Sequence, residues 1–157
     1  MTTKYYKLIP AKDLPVIAAN PIKEITKDIK DLAINLCFTM RKNGGIGIAA
    51  PQVGILLRIV VINTCLYSSD TNNHGCCIMI NPEIIEAHGE QEILEECLRF
   101  PSKKIKVKRN NSIRVKWKTI QNEFLETTFH GITAAAIQHE MDSLDGKTIY
   151  DEDGWKL

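Results

Sequence analysis

The sequence predicts an α+β fold: an N-terminal helix, mostly antiparallel strands, and a C-terminal helix that carries a motif close to HExxH. Three observations predict it. Apolar residues recur at three- and four-residue intervals near the N-terminus, alternate with polar ones through the middle, and return to helical composition before a glycine stop. No internal repeat or low-complexity linker interrupts that order, so residues 1–157 are expected to form a single domain.

Asn20 and Pro21 have the character of a helix N-cap and first helical residue. Ile22, Ile25, Ile29, Leu32, Leu36 and Met40 then form one apolar stripe, which ends at Arg41 and Lys42 with Asn43, Gly44 and Gly45 as the stop. The opposite face, from Lys23 to Asp31, is charged and is expected to face solvent. Residues 56–63 are mostly β-branched or aliphatic and predict a buried strand, and 68–75 a polar loop. Residues 78–85 predict a strand with a bulge or an edge position at Asn81 and Pro82, because proline cannot donate to a central ladder. Alternation across 104–118 around Asn110 and Asn111 predicts a two-stranded hairpin with one wet face. Residues 124–129 predict a further strand, and 132–144 a helix whose alanines at 134–136 allow close packing before Gly146.

Composition excludes more than it identifies. Hydrophobic residues are 44% and charged residues 25%, too apolar for a disordered chain, and a net charge of +1 asks for neither nucleic acid nor an anionic membrane. Residues 1–11 lack the apolar core of a secretory signal, and no run is long and apolar enough to span a bilayer. A cytoplasmic location is therefore expected. Five cysteines, an odd number without a paired framework, predict reduced thiols, with Cys37, Cys65, Cys76 and Cys77 as packing residues.

Three segments carry chemistry. In the first, Gly45, Ile46, Gly47, Ile48, Ala49, Ala50, Pro51 and Gln52 combine small residues with one polar side chain, so that backbone approaches a ligand and the Gln52 amide can donate to an oxyanion. No lysine followed by serine or threonine comes after it, which argues against a phosphate loop. The second is Glu95, Glu96, Cys97, Leu98 and Arg99, where two acids beside a thiol call for a compensating cation. The third is Gln138, His139, Glu140, Met141, Asp142 and Ser143. It follows HExxH up to its fifth position, where serine replaces the second histidine.

In this order and spacing the segments resemble the peptide deformylase family, whose signatures have the form GxGxAAxQ, EGCxS and QHExDH. Gly45, Gly47, Ala49, Ala50 and Gln52 match the first; Glu95, Cys97 and Leu98 match part of the second; Gln138, His139, Glu140 and Asp142 match the third. The resemblance implies a hydrolase that removes the formyl group from N-formyl-methionyl peptides or nascent chains, using Fe²⁺, with Zn²⁺ or Ni²⁺ as substitutes. It implies Cys97 and His139 as metal ligands, Ser143 at the third-ligand position, and Glu140 as the base and acid. Gln52 and the Leu98 amide would hold the oxyanion, and Gly45, Ile46 and Gly47 would line the substrate strand. Arg109 would contact Asp142 beside the metal ligands, and Leu94, Ile132 and Ile48 are candidates for the methionine pocket.

Glu96 and Arg99 depart from the second signature, but Ser143 is the departure with chemical consequence. A neutral hydroxyl is a poor ligand for Fe²⁺ or Zn²⁺, which leaves two protein ligands where the family has three. Three readings stay open: a deformylase impaired by Ser143, a non-catalytic binder of formyl-methionyl ends, and a metal-free hydrolase using Cys97 and His139.

Overall fold

The computed structural model describes residues 2–10, 13, 16–63, 75–96 and 104–147. Helix α1 (Lys27–Lys42) begins where Thr26 caps it, its side chain accepting the Ile29 N–H at 3.3 Å. Asp28 in the first turn and Arg41 and Lys42 in the last complement the helix dipole. Asn20 is therefore not the cap expected from the sequence. It lies in a parallel bridge to Leu57, its N–H donating to the Leu56 carbonyl and its carbonyl accepting the Arg58 N–H. The Asn81 side chain then holds Ile22 by both backbone groups, at 2.8 and 2.7 Å. These partners satisfy the groups a helix would have used, yet Ile22 still reaches the core.

Strands β1 (Gly47–Ala49), β2 (Ile59–Asn63), β3 (Cys76–His88), β4 (Gln91–Glu96), β5 (Lys104–Arg109), β6 (Ser112–Lys118) and β7 (Phe124–His130) precede helix α2 (Gly131–Leu144). They form a five-stranded antiparallel sheet in the order β1-β2-β3-β6-β7 and a separate β4-β5 pair. The continuous apolar run of β2 follows from its position, because alternate residues serve two cores. Ile59 and Val61 pack with Leu36 and Met40 of α1, whereas Val60 and Ile62 pack with Ile137 and Leu144 of α2. The sheet thus lies between the two helices, and β1 runs along its edge.

The bulge expected at Asn81 is present, with φ +50° there and a register shift between Ile80 and Glu83. The edge alternative does not hold, since β3 pairs with both β2 and β6. The 104–118 segment also differs from expectation: it forms two strands, but β5 pairs with β4, and β6 with β3 and β7. The connecting residues are held by other elements. Asn110 exchanges two hydrogen bonds with the Gln138 side chain, and the Asn111 carbonyl accepts the Gly131 N–H. Strand β4, not expected from the sequence, supplies the partner that β5 needs.

Cys37 and Cys76, expected as reduced packing thiols, form a disulfide between α1 and the first residue of β3. Both are buried in the α1 core, 39 residues apart in sequence. Cys77 projects into the other core as a thiol, and burial pushes its pKa up to about 12. Among the described residues no helix is long and apolar enough to cross a membrane.

Candidate active site

Successive residues at helical spacing place Ile132, Ala135, Ala136, His139 and Glu140 on one face of α2. That face lines a cavity of about 440 Å³, whose other walls are Asn43 to Gly47 and, on the second sheet, Ile93, Leu94, Glu95 and Lys104. The alanines keep the helix wall low where larger side chains would fill the space. The Ser143 side chain, one turn beyond His139, is buried and does not line the cavity.

The electrostatic centre is a buried chain of charges. The inward alternation of β5 buries Arg109 after Ile105 and Val107. Its guanidinium grips Glu95 with two hydrogen bonds, at 2.7 and 2.9 Å, and reaches Asp142 at 2.5 Å. The expected contact between Arg109 and Asp142 is therefore present. Glu95 Oε2 also lies 2.9 Å from His139 Nδ1. Burial alone would raise the Glu95 pKa, but the hydrogen bonds and charge of Arg109 and His139 outweigh it and lower the value to about 2. Arg109 is likewise held fully protonated, because Glu95 and Asp142 outweigh the effect of its burial. An ionised Glu95 accepts from Nδ1–H and so favours the tautomer whose lone pair is on Nε2, as in metal-binding histidines.

Glu140 is buried against the first segment. A Cβ on Gly47 would fall 2.9 Å from Glu140 Cγ and 2.9 Å from its Oε1, so only glycine leaves room for the carboxylate. Gly45 donates its N–H to the Met40 carbonyl and Ile46 accepts the Asn63 N–H, which anchors this wall from both sides. Gln52 is buried behind the wall, its Oε1 accepting the Ala49 N–H at 2.8 Å, and it is not among the residues lining the cavity.

His139, Glu140, Glu95, Gly45, Ile46 and Gly47 thus meet at one cavity, with Arg109 and Asp142 behind it. Leu94 and Ile132 line it as well, whereas Ile48 is buried in the α1 core. Cys97, Leu98 and Arg99 lie outside the described residues. The other described histidines are placed elsewhere: His88 pairs with Glu86 on β3, and His130 precedes α2 at the end of β7. Glu95 is the site residue to which the motifs assign no individual role. Its signal was an acid two positions before the cysteine, at an inward position of an unrecognised strand.

A divalent metal fits this arrangement in part. His139 has the orientation and the carboxylate partner that a ligand needs, but the described residues contain no group of three histidine, cysteine or acidic side chains able to hold an ion.

The chain matches the family model described as polypeptide deformylase over residues 12–153. It is 39% identical over 135 residues to the peptide deformylase of Buchnera aphidicola subsp. Acyrthosiphon pisum, covering 86% of this chain and 75% of that protein. A peptide deformylase crystal structure from Legionella pneumophila superposes with a TM-score of 0.86 at 30% identity, covering 94% of this chain and 85% of that one. A Met-Ala-Ser-bound peptide deformylase from Acinetobacter baumannii superposes with a TM-score of 0.82 at 29% identity, covering 94% and 97%. Because the likeness in sequence and in fold runs through the segments that build the cavity, the chain belongs to the polypeptide deformylase family.

Proposed function

We propose that this chain hydrolyses the formyl group from the N-terminal methionine of nascent polypeptides, and that Ser143 limits its metal affinity and turnover. The observation that carries the reading is the Glu95–His139 hydrogen bond beside Glu140, on a cavity wall facing Gly45 to Gly47. Among the described residues both long walls end in strands with one unpaired edge, β1 and β4, so an extended peptide has backbone partners available on either side. Its methionine side chain would lie between Leu94, Ile132 and the alanines of α2.

The reaction adds water across the formamide, giving formate and a free amine. A divalent metal held by Cys97 and His139, Fe²⁺ with Zn²⁺ or Ni²⁺ as substitutes, would supply Lewis acidity to water and the formyl oxygen. Glu140 takes a proton from the attacking water and returns it to the leaving nitrogen. By the family resemblance the Leu98 amide and Gln52 would donate to the oxyanion, Gln52 through the amide nitrogen that its bond to Ala49 does not use. Glu95, with Arg109 and Asp142 behind it, keeps the His139 imidazole in one orientation. We place the chain in the cytoplasm as a single domain.

Ser143 also favours a second reading, in which the cavity binds formyl-methionyl ends without cleaving them. The two separate on one comparison: formyl-Met-Ala-Ser cleavage and metal content of the chain and of Ser143→His. Activity and metal that both rise in the variant support the impaired enzyme. Binding without cleavage in both proteins supports the binder. Turnover that resists chelators and stops on alkylation of Cys97 would instead assign the chemistry to Cys97 and His139 without metal.

A further inference from the structure

We infer that the Cys37–Cys76 disulfide is a redox-controlled brace for residues 44–47, so that a dithiol reductant loosens the cavity wall without touching any residue that lines it. The bond joins the two structures from which that wall hangs. One turn after Cys37, the Met40 carbonyl accepts the Gly45 N–H at 3.0 Å. On the other side, Cys76 pairs across the sheet with Asn63, whose N–H donates to the Ile46 carbonyl at 2.8 Å. The neighbouring residue of β2, Ile62, pairs with Gly47. A circuit of covalent links, hydrogen bonds and one cross-strand register pair thus runs from Cys37 through Met40, Gly45, Ile46 and Asn63 to Cys76, and the disulfide is the link that redox chemistry can open.

The protein remains folded when the link opens. Leu36, Met40, Ile59, Val61, Ile78 and Ile80 still pack α1 on the sheet. What is lost is the constraint on how far α1 and β3 can separate, and with it the fixed spacing of the two anchors. The cross-link spans 39 residues, a separation at which its loss lowers Tm by about 10 °C. Reduction proceeds by attack of a dithiol's thiolate on one sulfur, which forms a mixed disulfide and expels one cysteine thiolate. The dithiol's second thiolate then closes its own disulfide and expels the other, so two electrons and two protons pass to Cys37 and Cys76. Because the two residues are 1% and 4% exposed, exchange requires local opening and is slow. Cys77, held as a thiol by its burial, does not compete as a nucleophile.

Only the expected effect on peptide binding rests on the reading of the cavity as a substrate site. The test is a non-reduced digest followed by hydrogen exchange on the full chain, before and after dithiothreitol. The expected results are a linked Cys37–Cys76 peptide pair, and exchange at the Gly45 and Asn63 amides that accelerates about tenfold on reduction, with β6 and β7 amides unchanged. Cys37→Ala/Cys76→Ala, or Cys37→Ala alone if the double variant does not fold, shows the fast exchange with or without reductant. Binding of formyl-Met-Ala-Ser weakens about threefold on reduction if the wall is then in its binding arrangement a third of the time. Absence of the linked pair after treatment with oxidised glutathione overturns the inference. So does exchange at Gly45 and Asn63 that ignores reduction. Redox-dependent exchange in a protein that never binds the peptide supports the brace and contradicts the substrate reading.

Discussion

Glu95 Oε2 stands 2.9 Å from His139 Nδ1 while both oxygens of the same carboxylate are held by Arg109. One buried acid therefore orients the histidine and neutralises the arginine. Truncating it by Glu95→Ala leaves the buried Arg109, among the described residues, with the partly exposed Asp142 as its one charged partner. The expected cost is about 3–5 kcal/mol, or a Tm lower by roughly 10 °C, measured by thermal unfolding. Glu95→Gln keeps the shape and loses the charge, and should fall between the two proteins in both Tm and metal affinity.

The same carboxylate gives stability a pH dependence. Its folded pKa, about 2, lies below the ordinary glutamate value, so the unfolded chain binds the proton first as pH falls. Its contribution is complete above the unfolded pKa, near 4.3, and is lost as pH drops through the folded value. The magnitude is on the order of 3 kcal/mol. Urea unfolding between pH 6 and pH 2 should show the loss, and Glu95→Gln should show a shallower acid limb over the same window.

Gly47 is a glycine because Glu140 occupies the place of its side chain. Gly47→Ala should cost about 1–3 kcal/mol by overpacking and should displace the carboxylate. The check is a double-mutant cycle in unfolding free energy. In a Glu140→Ala background most of the cost should vanish; an unchanged cost would assign the contact to Ile62, whose Cδ1 lies 3.0 Å from the same point.

Local patterns in the sequence located what local patterns control. The α2 segment, the β7 alternation, the C-terminal end of α1 and the Asn81 bulge are set by neighbours in the chain, and all are where the spacing put them. The start of α1 was misplaced because Asn81 and Leu57, far away in sequence, claim the backbone of residues 20–22. The 104–118 strands were paired wrongly because Gln138 and Gly131 hold the link between them in separate sheets. The disulfide is illegible in the sequence for the same reason, since nothing within 39 residues of chain reveals that α1 meets β3 at Cys76. At the site, the motif residues His139 and Glu140 line one cavity, and the family resemblance anticipates the Arg109–Asp142 contact. It gave no role to Glu95, whose function depends on facing inward from β4.

In the proposed function Ser143 is the residue on which activity turns. It follows His139 by one helical turn, in the position where the family signature has a histidine, and its hydroxyl cannot replace an imidazole. The decisive measurement is metal stoichiometry after equilibration with Fe²⁺ or Zn²⁺ under anaerobic conditions, with formate release from formyl-Met-Ala-Ser, for the chain and for Ser143→His. The substitution should raise occupancy towards one metal per chain and increase kcat/KM by at least about 100-fold, the scale expected for restoring a direct ligand. Full occupancy and full activity with Ser143 in place, unchanged by histidine, would contradict the assignment of Ser143 as the limiting residue.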